Sequence, residues 1–223
     1  VAASNTSSIV TSGGAVNLPA GTGNFTTKQG SDGTVKAYRV ITSLGAPGSV
    51  TTNDLQGMNG DLNLNYALGA NIDATATSGW NLNFGFVPVS SSFSQSFNGT
   101  FDGLGHTIKN LTINRPATDS VGLFGATGTT SIIRNVGLVG GSVTGSTYVG
   151  GLVGDNGGRI GNSYAAGSVS GSTTVGGLVG GTFGTISNSY ATGSVSGTGS
   201  VSGNSDVGGL VGFSQGTISN SYS

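Results

Sequence analysis

The 223-residue sequence contains no cysteine, no glutamate, one histidine, and only 7 lysines and arginines against 8 aspartates. Without cysteine there is no disulfide frame and no thiolate metal site, which fits a reducing compartment and a secreted rod equally well. One histidine and no glutamate cannot assemble the His-Glu-x-x-His zinc site of a metallopeptidase. The cations Lys28, Lys36, Arg39, Lys109, Arg115, Arg134 and Arg159 are scattered, so nucleic acid and anionic lipid have no basic footprint to bind. No apolar run approaches the roughly 20 residues of a membrane-spanning helix, and no membrane insertion is expected. The chain does not begin with methionine and stops inside a repeat at Ser223. Both ends are read as processed or excised, because a natural array is expected to finish in a polar cap.

What is plentiful is glycine, 44 residues of it, and it is ordered. Val149 opens VGGLVGDNGGRIGNSYAAGSVSG, Val175 opens VGGLVGGTFGTISNSYATGSVSG, and Val207 opens VGGLVGFSQGTISNSYS. Val121 opens a looser copy, so the four starts are 28, 26 and 32 residues apart. The long interval reflects TGSVSG at 192–197 repeated at 198–203. A unit this short cannot bury an apolar face except against its neighbours, which makes the array a solenoid. A composition of Gly, Ser, Thr, Val and Asn without helical periodicity excludes helical repeats. Each unit holds three β-compatible pieces, such as VGGLV, GTISNSY and GSVSG, parted by Gly, Asn or Ser at tight or left-handed corners. The expected fold is therefore all-β, a parallel β-helix (β-solenoid) with about three short strands per coil.

Coils stacked in register set each residue over its counterpart at about 4.7–4.9 Å. Ile160, Ile186 and Ile218 then form one apolar ladder, buried on one line, and Val143, Val169 and Val195 another. Tyr164, Tyr190 and Tyr222 form an aromatic ladder. Asn162, Asn188 and Asn220, with Asn135 below them, are placed to pass side-chain amide hydrogen bonds from coil to coil. The Gly pair before Leu178 and Val179 leaves open which of those two faces inward.

Along the chain, residues 1–59 read as an irregular β segment leading into the solenoid, with a weak strand at 8–11 and a stronger one at Thr34–Leu44. Thr51–Met58 fits either a single helical turn or a loop. Residues 60–120 read as the first irregular coils, starting with the alternating DLNLNYALGA, and 121–223 as the repeat coils. Trp80, Phe84 and Phe86 are expected to seal the core rather than to offer a sugar-stacking platform.

VGGLVG followed by GTISNSYATGSVSG resembles the GLUG repeat. NYALGANIDATATSGW and FNGTFDGLGHTIKNLTI resemble the segment that precedes such repeats in secreted bacterial adhesins of the filamentous haemagglutinin type. The likeness covers about residues 60–223 and implies a right-handed parallel β-helix located at the cell surface or outside the cell. It also implies export by a dedicated outer-membrane partner protein. GLUG repeats are also found in some immunoglobulin A1 peptidases, so the repeat alone does not fix a function.

Catalysis finds little support. Asp102 and His106 lie four apart in FDGLGHTI, as an acid and base pair would, but Asp73, Asp102 and Asp119 fall on separate coils among Gly corners, where Asp is a turn former. GDNGG at 154–158 lacks the nine-residue recurrence of a calcium-binding β-roll and reads as a turn. Asn5, Asn24, Asn98 and Asn110 sit in Asn-x-Ser/Thr triplets, and Asn98 and Asn110 are the candidate glycosylation sites. No catalytic residue, cofactor or metal ligand is assigned. The expected role is a structural or adhesive stalk that presents a binding region to a host-surface glycan or protein receptor. A filament of copies stacked end to end is the alternative, followed by a carbohydrate-active β-helix enzyme.

Overall fold

The computed structural model describes residues 14–21, 23–28, 33–198 and 206–223. The strand expected at 8–11, Asn5 and most of the second TGSVSG copy lie outside them. The chain is a β-solenoid in which short parallel strands stack coil upon coil.

One face runs through Lys36–Ile41, Tyr66–Leu68, Thr100–Asp102, Ile132–Arg134, Arg159–Gly161, Thr185–Ser187 and Thr217–Ser219. Asn24–Thr27 pairs antiparallel with Lys36–Ile41 and covers that edge. The edge of this face is therefore the short strand Asn24–Thr27. The stack begins before Asp61, because Arg39, Val40 and Ile41 already pair in parallel with Tyr66, Ala67 and Leu68.

A second face is built on Ile72–Asp73, Thr107–Lys109, Gly137–Thr144, Tyr164–Gly171 and Tyr190–Ala191. Thr112–Asn114 and Val195–Gly197 pair with the second halves of the long strands. The register slips by one residue between Val139 and Ser142 against Tyr164–Gly171, where Gly140 and Gly141 take φ of 66° and 78°. This bulge adds one residue to the looser first copy relative to its successor.

The remaining side of the coil is double. Phe124–Thr127, Val153–Asn156, Val179–Thr182 and Val211–Ser214 form one sheet, and Thr147–Gly150, Thr173–Gly176 and Val207–Gly208 form another. The VGGLV piece thus resolves into two strands with Gly151–Leu152 between them, and the Asn corner likewise divides GTISNSY. The two sheets approach so closely that a Cβ on Gly180 would lie 2.5 Å from the backbone of Tyr148 and Val149.

The bend inside VGGLV also answers the question of direction. Leu178 and Val179 are both 0% exposed, because the chain turns a corner between them and each side chain enters the core from a different side. Beside a smaller cluster of Tyr38, Ala67 and Leu104, the main core is one apolar column from Ile41 to Ala191. Its lower coils are filled by aromatics, with ring centroids of Phe97 and Phe124 at 5.0 Å and of Phe101 and Phe124 at 5.3 Å. The upper coils use Ile, Val and Leu. Such a column removes apolar side chains from water at about 25 cal/mol per Å². Helical turns among the described residues are short: Gln56–Gly60, Thr75–Gly79 and Phe93–Gln95. The first begins where Asp54 Oδ1 accepts the Gly57 N–H at 2.7 Å.

Candidate functional site

Equivalent residues of the repeats lie in register. Phe101, Ile133, Ile160, Ile186 and Ile218 occupy successive rungs of one face. Ile160 and Ile186 are buried, whereas Ile218, with no coil over it, is 40% exposed. On the next face Ile113, Val143, Val169 and Val195 form a second column.

Between these columns the corner is made by Asn135, Asn162, Asn188 and Asn220, with φ of 56°, 50°, 49° and 48°. Asparagine is among the few non-glycine residues that tolerate the left-handed region. The amide ladder expected here is replaced above its first rung. Asn162 Nδ2 donates to Asn135 Oδ1 at 3.4 Å, and in the higher coils the serine that follows carries the coil-to-coil bond. Ser163 N–H donates to Ser189 Oγ at 3.2 Å and Ser189 N–H to Ser221 Oγ at 3.1 Å. Each hydroxyl donates its own proton to the carbonyl two residues before it, at 2.9, 2.8 and 2.7 Å. The left-handed turn aims the asparagine side chain outward and the serine inward, which explains the exchange of roles. The sequence signal was present, since every NSY carries this serine.

Tyr164 and Tyr190 stack with centroids 4.9 Å apart and planes 1° from parallel, and Tyr190 and Tyr222 at 5.2 Å and 5°. Burial, followed by the flanking Tyr164 and Tyr222, raises the Tyr190 phenol above its usual value. Tyr190 is covered on both faces by its neighbours, whereas Tyr222 is 63% exposed. A sugar stacking on an aromatic needs the face.

The aspartate and histidine considered as an acid and base pair are each committed elsewhere. Asp102 accepts from Arg134 Nε at 2.7 Å, Asn135 Nδ2 at 3.0 Å and the Leu104 N–H at 3.0 Å. His106 is 1% exposed, with Nε2 at 2.9 Å from Val16 O and Nδ1 at 3.3 Å from Asn71 Oδ1. Their partners hold the strand Ile132–Arg134 and the segment around Val16 against the solenoid. Of the aromatic trio, Phe86 is buried and stacks on Trp80 at 6.5 Å, while Phe84 is exposed.

Asn98 and Asn110 are exposed on the surface. Their amides donate to Ser96 O at 2.9 Å and to Thr75 Oγ1 at 3.0 Å. The hydroxyl of the first triplet, on Thr100, is buried and accepts from Lys36 Nζ at 2.9 Å.

GDNGG is not a surface turn. Asp155 and Asn156 lie in the strand Val153–Asn156 and are both 0% exposed. Asn156 bridges three coils: Oδ1 accepts from Thr127 Oγ1 at 2.9 Å and Nδ2 donates to Thr182 Oγ1 at 3.0 Å. Asp155 has neither oxygen paired, and burial pushes its carboxyl up to about 7. Reading GDNGG as a turn missed that Thr127, Asn156 and Thr182 occupy one repeat position, a polar column within the coil wall.

These features, a VGGLVG bend, an inward Ile, an Asn corner and a stacked Tyr, recur together on consecutive coils. Residues 171–196 match the GLUG motif. The coils before and after this unit lie in register with it. A 103-residue part of the chain, 45% of it, is 42% identical to halomucin of Haloquadratum walsbyi, and this match covers 1% of halomucin. Among solved structures, a Bacteroides ovatus protein described as a candidate immunoglobulin A1 protease aligns with a TM-score of 0.56 and 22% identity, over 82% of this chain and 65% of that one. At that identity the likeness concerns the fold. No helix among the described residues is long and apolar enough to cross a membrane.

Proposed function

We propose that this chain is a non-catalytic spacer of an extracellular fibrous protein, a stalk of the filamentous haemagglutinin type that holds a binding region away from a bacterial surface. The carrying observation is where the polar groups go. The Ser163–Ser189–Ser221 column, the Thr127–Asn156–Thr182 column and the Asp102 cluster all join one coil to another. A hydrolase on this fold would instead turn carboxylates into a shared groove. The halomucin likeness supports an extracellular repeat protein. Export by an outer-membrane partner, a host glycan or protein receptor, and sugars on Asn98 and Asn110 belong to the same proposal.

The test is to place the chain between a bead and a known binding module, with none, two or more added copies of residues 149–174. Reach should grow by about 4.8 Å per added coil while the fold is kept. Cleavage of immunoglobulin A1 or of a polysaccharide by the purified chain would overturn the non-catalytic reading.

The alternative is assembly of copies end to end, with the coil 206–223 as the contact. The coil 206–223 leaves Val207, Ile218 and Tyr222 46%, 40% and 63% exposed, and a following coil in the same chain or in another molecule would cover all three. Sedimentation with and without a charged segment after Ser223 separates the readings, since only self-stacking predicts that the segment dissociates oligomers.

A further inference from the structure

Asp155 stands in a column that is otherwise apolar or empty. Ala126 lies below it in register, Gly181 above, and Phe213 above that. A Cβ on Gly181 would meet the Tyr148 ring at 2.7 Å, so that ring fills the column one coil above Asp155. Tyr148 holds φ of 55°, a conformation unfavourable for an aromatic residue.

The strands packed against the strand of Asp155 are 124–127, 147–150 and 179–182, and they contain no Lys, Arg or His. The titratable group among them is the Tyr148 phenol. Asp119, just before this region, is exposed and accepts the Thr147 N–H at 3.1 Å, and Asp206 is exposed just before the coil that opens at Val207. Asp155 therefore faces no cation, and its own two oxygens have no donor. An isolated carboxylate in such surroundings is far costlier than the neutral acid.

We propose that Asp155 is a neutral carboxylic acid in the closed solenoid, and that its ionisation loosens the GLUG coils around it, so that this segment is tighter in acid than at neutral or alkaline pH. The sign follows from proton binding. In the unfolded chain the carboxyl ionises near pH 4, whereas burial holds it protonated up to about 7 in the fold. Between these values the folded state binds more protons, and stability falls as pH rises through that window. Above it the penalty is complete and constant. In a surface segment this makes a pH-responsive joint, placed in the repeat that alone carries an acid in the column.

The experiment is thermal unfolding of the whole chain between about pH 4 and about pH 9, for the native protein, Asp155→Ala and Asp155→Asn. Alanine is the residue that the coil below already accommodates at position 126. The native Tm should drop by several degrees as pH rises, the drop should be absent from both variants, and near neutrality Asp155→Ala should be the more stable. Other titrating groups are common to all three proteins and cancel in the comparison. Equal pH dependence in native and variant proteins overturns the proposal. So does a native Tm that rises with added calcium or sodium chloride at neutral pH while Asp155→Ala does not respond, since that places a cation on an ionised Asp155. Should the variants fail to fold, hydrogen exchange of the native chain decides. After correction for intrinsic rates, residues 147–156 should lose protection with rising pH before residues 36–41 do, and uniform loss overturns the idea.

Discussion

The backbone N–H of Ser163 donates to Ser189 Oγ one coil above it at 3.2 Å, and that hydroxyl donates to Ser187 O at 2.8 Å. A single side chain thus satisfies two backbone groups at a corner where the parallel ladder is interrupted. Replacing Ser189 by alanine orphans the buried Ser163 N–H, and should cost about 1–3 kcal/mol. Ser187→Ala, half-buried at the end of the strand Thr185–Ser187, should stay within about 0.5 kcal/mol. Denaturant midpoints of the two variants check this, and equal shifts would remove the serine column from the stabilising interactions.

Much of the coil was legible because the repeat exposes it. Ile160, Ile186 and Ile218 could be aligned by eye, and backbone pairing follows the alignment residue for residue. Asn162 and Asn188 were legible as corners for a chemical reason, the tolerance of asparagine for positive φ. What was not legible was side-chain direction after such a corner. A left-handed residue breaks the alternation of two, so the inward turn of Ser163 and Ser189 cannot be counted from Ile160. The same difficulty hid Asp155, where a Gly-rich context favours a turn but the neighbouring coils, Ala126 and Gly181, leave room for a buried strand. Thr34–Leu44 reads as a strand, and Lys36–Ile41 within it is one, yet its place as a rung beneath Tyr66–Leu68 depends on a long connection that carries no repeat.

Glycine requirements differ sharply within one repeat. A Cβ on Gly184 would collide with the carbonyl oxygen of Gly158 in the coil below, whereas a Cβ on Gly161 would meet nothing nearer than Ser187 Oγ at 3.5 Å. Gly161→Ala should therefore be neutral or stabilising by about 0.4–1 kcal/mol, through the lowered entropy of the unfolded chain. Gly184→Ala must displace backbone and should cost more than about 2 kcal/mol. Thermal melts of the two single variants decide, and a stable Gly184→Ala would contradict the close stacking of these corners.

The isoleucine column supplies a graded test of position. Ile186 is 0% exposed between Ile160 and Ile218, while Ile218 is 40% exposed. Ile186→Ala should cost about 2–5 kcal/mol from lost transfer energy and the cavity left behind. Ile218→Ala should cost clearly less, since part of its surface is in water in the folded chain. Ile186→Asp should be worse than either, because it adds an unpaired charge. A denaturant series on these three variants that ranks Ile218→Ala as the most damaging would contradict this order of burial.

Asp102 distinguishes a structural from a catalytic carboxylate. Its oxygens take three donors, from Arg134, Asn135 and the Leu104 backbone, and its side chain is 6% exposed against 41% for Arg134. Because Arg134 can turn back toward water when its partner is lost, Asp102→Ala should fall below the full cost of breaking a buried pair, at about 2–4 kcal/mol. The Leu104 N–H and the Asn135 amide would then be left unsatisfied. The double variant Asp102→Ala, Arg134→Ala should cost less than the sum of the single changes, since both belong to one network. Additive effects on stability would dissolve the network. A loss of hydrolysis of any tested glycan or peptide on Asp102→Asn, with stability retained, would instead give this aspartate a catalytic role in place of the structural one that its three donors describe.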